Sequence, residues 1–292
     1  MGSAGEIIEI HNKREFIQKP YSIRKCDSCG LYFKDEILDS NSINEYYNSL
    51  DSSVWNPKIL CPTESEIEGL IRGHLQPGAT ILDYGCSQGR FLSKFVGQYD
   101  CVGFDIDLRA TEVARGKGIR VMEYSVLESN KGSFDLIVLS DVFEHAMKPT
   151  DLVTYLFSLL KTGGILCVST GYADVKIVQY DIADYWYFRT VQHFSMMSEK
   201  YVNCLRKELN AELVHFKICS HYDDLLMRKI SHAINFTLRF FLYKNVSAKK
   251  ASLAFKIIRR IPLLSRITRW YTQPHFIFAK DHVVVAMRKI DL

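Results

Sequence analysis

The stretch from Ala79 to Phe91, ATILDYGCSQGRF, constrains this chain more than any other. Residues Ala79 to Asp83 form a short apolar run ending in a carboxylate, and Gly85 and Gly89 follow before apolar helical spacing resumes at Phe91. The pattern predicts a strand, a glycine turn and a helix start. Without a Cβ, the backbone at Gly85 and Gly89 can turn sharply and lie against a ligand, with N–H groups of the coming helix directed at it. Three kinds of site use such a string. A dinucleotide turn, G-x-G-x-x-G, fits poorly because Ser87 and Arg90 stand where its second and third glycines belong. The letters Gly85 to Gly89 also spell G-x-S-x-G, a hydrolase elbow with Ser87 as nucleophile. The third reading is D-x-G-x-x-x-G, Asp83 to Gly89, and the rest of the chain has to separate the three.

With 292 residues, 47% of them apolar, the chain can bury a full α/β core and one or two accessory segments. Eight scattered cysteines without a secretory leader ahead of them predict free thiols in a reducing cytoplasm. No apolar run reaches the roughly eighteen residues a membrane helix needs. The net charge of +4 conceals a division: residues 225–272 hold eleven of the 37 Lys and Arg and none of the 33 Asp and Glu, so the remaining chain nets −7. An acidic soluble domain carries a basic appendage.

Three segments follow from the patterning: an N-terminal part over 1–60, a main domain over 61–220 plus 273–292, and a basic helical insertion over 221–272. The first contains Cys26-Asp-Ser-Cys29-Gly-Leu-Tyr-Phe, and a lone C-x-x-C supplies two ligands where structural zinc takes four, so a metal-free hairpin is expected. A short helix is expected at Asn44–Leu50. From Thr63, Thr-Glu-Ser-Glu reads as a capping box for a helix stopped by Pro77-Gly78. Strands at 79–83, 101–105, 119–123, 134–139 and 164–169 then alternate with helices at 89–97, 108–116 and 150–161, which predicts a doubly wound, mostly parallel sheet covered on both faces. A helix at 198–209, a strand at 212–219 and a last antiparallel strand at 281–289 complete seven strands.

The second strand ends in Asp105, sixteen residues after Gly89, where a carboxylate beside the glycine turn can accept both ribose hydroxyls of a nucleoside. A hydrolase elbow has no use for that acid. The fourth strand continues into Ser140-Asp-Val-Phe-Glu-His145, and the fifth begins after Lys-Thr-Gly-Gly. Asp83 to Gly89, Asp105, Phe134 to His145 and Leu160 to Thr170 together resemble the successive motifs of class I S-adenosylmethionine-dependent methyltransferases. Within them the chain resembles the ubiquinone-type O-methyltransferases and related bacterial enzymes fronted by a zinc-ribbon-like C-x-x-C-G-L-x-F, here Cys26 to Phe33 in degenerate form.

The resemblance implies a Rossmann-like fold and S-adenosyl-L-methionine as cofactor, held by Asp83, Gly85, Cys86, Ser87, Gly89, Asp105, Ser125, Val126 and Ser140, with no metal. Amides of the glycine turn would meet its carboxylate, Asp83 its ammonium, Asp105 its ribose, and Ser125 or the Val126 backbone its adenine. Ser87 stands where the family usually has glycine, and the acid usual near adenine is missing after the third strand, which leaves a vestigial, non-catalytic protein open as an alternative. If the acceptor is a hydroxyl, His145 and His193 are the candidate bases. Residues 171–197 are the expected lid, and Tyr180, Tyr185, Trp186, Tyr187 and Phe188 either stack on an acceptor or form an aromatic minicore.

About sixty residues separate the last two strands, where this fold has a short connection. Leu226, Ile230, Ile234, Leu238 and Phe241 make one helical stripe, and Leu253, Ile257, Ile261, Leu264 and Ile267 another, each beside Lys and Arg and with no acids. This composition predicts helices lying on an anionic lipid surface, places the protein peripherally on the cytoplasmic side of a membrane, and argues against nucleic acid as partner. Packing of the stripes on the protein itself is the competing expectation. The acceptor expected is a lipid-linked sugar or glycan of polysaccharide biosynthesis, with a phenolic isoprenoid as the alternative.

Overall fold

The computed structural model describes residues 3–10, 13–35, 61–180, 182, 185–220 and 280–291. Its strands are β1 (Ser3–Ile10), β2 (Lys13–Lys25), β3 (Tyr32–Asp35), β4 (Thr80–Tyr84), β5 (Asp100–Phe104), β6 (Arg120–Val121), β7 (Phe134–Ser140), β8 (Leu160–Gly171), β9 (Ser195–Met196), β10 (Ala211–Cys219) and β11 (His282–Lys289). Its helices are α1 (Pro62–His74), α2 (Leu108–Gly116), α3 (Tyr124–Glu128), α4 (Pro149–Leu159), α5 (Lys176–Tyr180), α6 (Trp186–Arg189) and α7 (Glu199–Glu208), with 3₁₀ turns at Leu92–Phe95 and Phe143–His145.

Seven strands form one sheet in the order β10-β11-β8-β7-β4-β5-β6. The pairs of β4 with β5 and β7, β5 with β6, and β7 with β8 are parallel, and β11 runs antiparallel to both β8 and β10. Successive residues of a strand face opposite sides, so Leu82, Ile137 and Leu139 pack on one face with Leu156 and Tyr201, while Ile81, Leu136 and Val138 pack on the other with Ile67 and Phe95. This is a doubly wound, mostly parallel α/β sheet, as the sequence pattern predicts.

Three local expectations are corrected. The helix expected at 89–97 is a single 3₁₀ turn, because Phe91, Leu92 and Phe95 hold the segment to the sheet by burial and Gly97, at φ 88°, ends it. The capping box does not form: Cys61 is the N-cap of α1, Pro62 takes the first turn, and Thr63 lies inside the helix. The third strand contracts from 119–123 to Arg120–Val121, since β6 is an edge strand paired only with β5.

A second, four-stranded sheet has the order β1-β2-β3-β9. The C-x-x-C sits in the turn between β2 and β3, closed by Gly30 N–H to Cys26 O at 2.8 Å and Cys26 N–H to Leu31 O at 2.9 Å. β3 then pairs with β9, Tyr32 opposite Met196 and Phe33 opposite Ser195, so the N-terminal hairpin holds the segment that follows His193. Buried Lys34 adds to this, donating from Nζ to Thr190 O at 2.8 Å and lying 4.8 Å from the Tyr21 ring centre.

By its contacts the chain divides into two compact units, Met1–Cys219 with Asp281–Leu292, and Ser220–Lys280. The insertion expected at 221–272 and the helix expected at Asn44–Leu50 lie outside the described residues. No helix among the described residues is long and apolar enough to cross a membrane.

Removing the Lys34 ammonium leaves buried carbonyls without their charged donor, so Lys34→Met is expected to cost about 1–3 kcal/mol. Hydrogen exchange checks this: amides at 190–197 should lose protection before those of β4, β7 and β8 do.

Candidate active site

The site lies at the carboxyl edge of the sheet, where β4, β5, β7 and β8 end side by side. Gly85, Ser87 and Gly89 all have positive φ, at 89°, 47° and 68°. A Cβ on Gly85 would stand 2.3 Å from Val142 Cγ2, and one on Gly89 would stand 2.3 Å from Ile119 Cδ1. Both glycines are therefore demanded by contact with the protein's own side chains. Ser87 is the residue in the left-handed region that has a side chain, a conformation costing about 1–2 kcal/mol in a non-glycine residue.

The turn's amides are largely committed. Gly85 and Cys86 N–H both donate to Phe104 O, at 2.7 and 2.9 Å, Ser87 N–H donates to Asp105 Oδ2 at 2.8 Å, and Gly89 N–H donates to Cys86 O at 2.8 Å. The expectation of a row of amides aimed at a ligand is thus corrected: with no long helix after the turn, those donors close the turn itself. Asp105 also accepts from Asp107 N–H at 2.9 Å through Oδ1. Burial raises its carboxyl above the ordinary value while these two bonds pull it back. Each of its oxygens keeps a second lone pair for a hydroxyl donor.

Carboxyl groups crowd this edge. Asp83, 5% exposed, is pushed from 3.8 to about 7 by burial and by the neighbouring charges of Asp105 and Glu64. Asp141, at φ 52°, is likewise raised to about 7 by burial and by Glu144, against a smaller pull from His282. Arg90 is ion-paired with Glu64. Beyond Asp105, Ile106 and Leu108 are 71% and 72% exposed, and Tyr124, whose ring centre lies 6.2 Å from that of Phe104, and Val126 are half-exposed. Ile106 was not singled out from the sequence, although an apolar residue directly after the strand-end acid was the available signal. Ser125 is exposed on α3, and Val126 N–H is used within that helix, bonding Glu123 O at 3.1 Å. Ser140, at the end of β7, shares a 3.0 Å hydrogen bond with Ser169 on β8.

Across the edge, His145 and His193 come together although 48 residues apart in sequence, their ring centres 5.0 Å apart and their planes at 79°. Phe194 N–H bonds Glu144 O at 2.7 Å, which ties the two chain segments next to the histidines. Glu144 is 1% exposed and accepts from Thr170 Oγ1 at 2.8 Å. Tyr187 Oη accepts from Gly171 N–H at 2.9 Å, so its own proton goes to Thr170 Oγ1, 3.0 Å away. A relay of donors thus ends on Glu144. Burial holds His145 below the ordinary histidine value against the pull of Glu144, and burial with His145 and Lys34 nearby holds His193 well below it. Burial thus disfavours the charged form of both imidazoles.

Three of the segment's five aromatic residues form a minicore, while the side chains of Tyr180 and Trp186 lie outside the described set. Tyr185, Tyr187 and Phe188 are buried with Tyr21, Ile23, Tyr32 and Met196, and Gly171 has no side chain because Tyr187 Cζ would stand 2.4 Å from its Cβ. Those three rings are spent on fixing the segment and do not offer faces to an acceptor.

The family described as a methyltransferase domain matches residues 66–216, just over half of the chain. The chain belongs to this family of methyltransferase domains. Ribosomal protein L11 methyltransferase of Cupriavidus necator is 32% identical over 102 residues, 33% of this chain and 33% of that protein. The Burkholderia thailandensis protein of the same name is 34% identical over 101 residues, 32% of this chain and 33% of its own. The chain thus spans about a third of the length of the curated relatives it matches. Among solved structures, 1,6-didemethyltoxoflavin-N1-methyltransferase of Burkholderia thailandensis, with 1,6-didemethyltoxoflavin and S-adenosylhomocysteine bound, superposes with a TM-score of 0.51 at 14% identity, over 92% of this chain and all of that one. The YcgJ protein of Bacillus subtilis gives 0.51 at 14% identity, over 78% of this chain and 99% of that one. At these identities the likeness is one of fold.

Because Asp83 is neutral in the fold up to about pH 7 but ionised in the unfolded chain above 3.8, the fold is favoured by this group at low pH and loses that contribution as pH rises from about 4 to 7. Without ligand, Asp83→Asn is expected to match or trail the parent near pH 4 and to exceed it at pH 8 by about 2–4 °C in Tm. Melting curves at the two pH values read this directly, and a difference independent of pH contradicts it.

Proposed function

We propose that this methyltransferase O-methylates a lipid-linked sugar or glycan presented at a membrane surface, as a peripheral protein on the cytoplasmic side. The observation that carries the O-methyl part is the pairing of His145 and His193, whose ring centres lie 5.0 Å apart and whose charged forms burial disfavours. Bound S-adenosylmethionine supplies a methyl group on a positively charged sulfur, beside an ammonium.

The edge fits such a cation, because Asp83, Asp105, Asp141 and Glu144 crowd it while Arg90 is committed to Glu64. With the cofactor bound, Asp83 would meet the ammonium and ionise, Asp105 would accept the ribose hydroxyls, and the exposed side chains of Ile106, Leu108, Tyr124 and Val126 would lie against the base. Gly85 to Gly89 shape the turn, in which Cys86 is buried, and Ser125 and Ser140 remain candidate contacts to the cofactor. An acceptor hydroxyl placed against His145 and His193 gives its proton to an imidazole nitrogen as its oxygen takes the methyl group. Catalysis rests mainly on holding oxygen and methyl in line with water excluded.

The membrane part rests on sequence and on topology within the described unit. Residues 225–272 are basic, amphipathic and without acids. Cys219 pairs with His282 and His282 with Gly171, so the chain leaves and re-enters the sheet at the edge where Tyr187 and the histidines lie. The protein substrate in the L11 methyltransferases' name is not carried over, since the shared stretch is about a third of either chain.

Two measurements test this. Given methyl-labelled cofactor and a membrane lipid extract, the protein should label a fraction from which mild acid releases a water-soluble methylated saccharide. Label confined to aromatic lipid or to protein overturns the acceptor. In the second, His193→Asn is expected to lower turnover about 10²–10⁴-fold while S-adenosylhomocysteine binds in calorimetry within twofold of the parent. Full turnover in that variant removes His193 from the chemistry.

A further inference from the structure

The loop over residues 26–31, which closes the hairpin of β2 and β3, holds chemistry that methyl transfer leaves unused. Lys25 pairs with Tyr32 at its base, and the loop is fastened by Gly30 N–H to Cys26 O at 2.8 Å and by Cys26 N–H to Leu31 O at 2.9 Å. Cys26 and Cys29 are both partly exposed on it, while Cys61, Cys86, Cys101, Cys167 and Cys219 are buried. Donors converge on the Cys26 sulfur: the Ser28 hydroxyl lies 3.0 Å away, and the amides of Cys29 and Ser28 and the Cys29 thiol bond it as well. Structural zinc takes four ligands, and among the described residues these two cysteines belong to no set of three His, Cys, Asp or Glu ligand atoms within 4.8 Å of one another.

We propose that Cys26 and Cys29 are a redox-active dithiol, in which Cys26 attacks a low-molecular-weight disulfide and Cys29 resolves the adduct to leave a Cys26–Cys29 disulfide. The chain reverses between them, and such a reversal brings residues three apart to within about 7 Å. A disulfide spans about 4.4–6.8 Å between Cα atoms, and the hydrogen bond between the two sulfurs already points the side chains at each other.

The two thiols differ as attacker and resolver must. Hydrogen bonds, first that of the Cys29 amide and then those of the Ser28 hydroxyl and the Cys29 thiol, pull the Cys26 thiol from 9.0 down to about 6, so it is largely thiolate at pH 7. Burial raises Cys29, which keeps its proton. In the first step the Cys26 thiolate forms an S–S bond to one sulfur of the small disulfide, and the other sulfur leaves as a thiolate. In the second, Cys29 loses its proton to solvent and attacks the Cys26 sulfur, expelling the remaining small thiolate. The two protein thiols are oxidised, and the small disulfide is reduced to two thiols.

The loop is anchored on both sides. Ser198, the N-cap of α7, donates to Gly30 O at 2.7 Å, Lys200 Nζ bonds Asp27 O, and a Cβ on Gly30 would stand 2.8 Å from Lys200 Cβ. At its other end the loop runs into β3, which pairs with β9 just beyond His193. The dithiol thus sits where the hairpin meets α7 and the segment carrying His193. Thiol exchange is read without cofactor or acceptor, so the proposal stands apart from the acceptor reading.

The reduced full-length protein is incubated with oxidised glutathione, and its thiols are alkylated and mapped by mass spectrometry. Loss of two thiols, a Cys26–Cys29 link in the peptide map and recovery of both thiols with dithiothreitol are expected. Cys29→Ser should stop at a mixed disulfide on Cys26, formed at a rate that rises with pH through about 6 and then levels, whereas an ordinary thiol keeps accelerating to about 8.5. Cys26→Ser should slow oxidation about tenfold or more, with the melting curve as the check on folding. A parent protein that keeps both thiols, forms its first disulfide through Cys204, or yields the pair only after a chelator removes bound zinc overturns the proposal.

Discussion

Gly85 and Val142 cannot both carry side chains: a Cβ at residue 85 would overlap Val142 Cγ2 at 2.3 Å. This approach brings the turn after β4 against the loop after β7, and most of the site hangs on it. On one side the turn presents Asp83 and is held closed by Asp105; on the other the loop continues into Glu144 and His145. Because the two are in van der Waals contact, Asp83 on the turn and Glu144 and His145 on the loop share one wall. Ser87, in a conformation that favours glycine, is held there by the bond from its N–H to Asp105.

Electrostatics give this wall its character. Asp83 and Asp141 are each raised to about 7, so near neutrality both are poised to ionise when a positive group arrives. The fold thus keeps carboxyls in a place that weakens the empty protein, a cost a cationic ligand offsets. The two histidines are the complement, since burial disfavours their charged form.

The position of His193 depends on elements far away in sequence. The N-terminal hairpin adds β9 as a strand, Lys34 reaches the carbonyls before it, and Tyr185, Tyr187 and Phe188 pack beneath with Tyr21 and Tyr32. The segment that sequence alone offers as a lid with stacking rings is in these residues a fixed wall. The rings of Tyr185, Tyr187 and Phe188 are consumed by the minicore, and Tyr187 uses its hydroxyl to hold Thr170 and Gly171.

By itself the sequence determined the sheet, since strand and helix periods are local properties: β4, β5, β7, α2 and α7 lie within a residue or so of the expected ranges. It also marked Asp83, Asp105, His145 and His193, because a strand-end carboxylate and a histidine after the fourth strand stand out without any fold. It misjudged 89–97, where apolar spacing suits a helix or a 3₁₀ turn equally and only burial against the sheet chose between them. Tertiary structure alone decided that the turn's amides serve the turn, that Val142 rather than a ligand requires Gly85, and that His193 meets Glu144 and His145. These are long-range contacts, set by which strand ends share an edge and which side chains fill the space between them, and no local pattern encodes them.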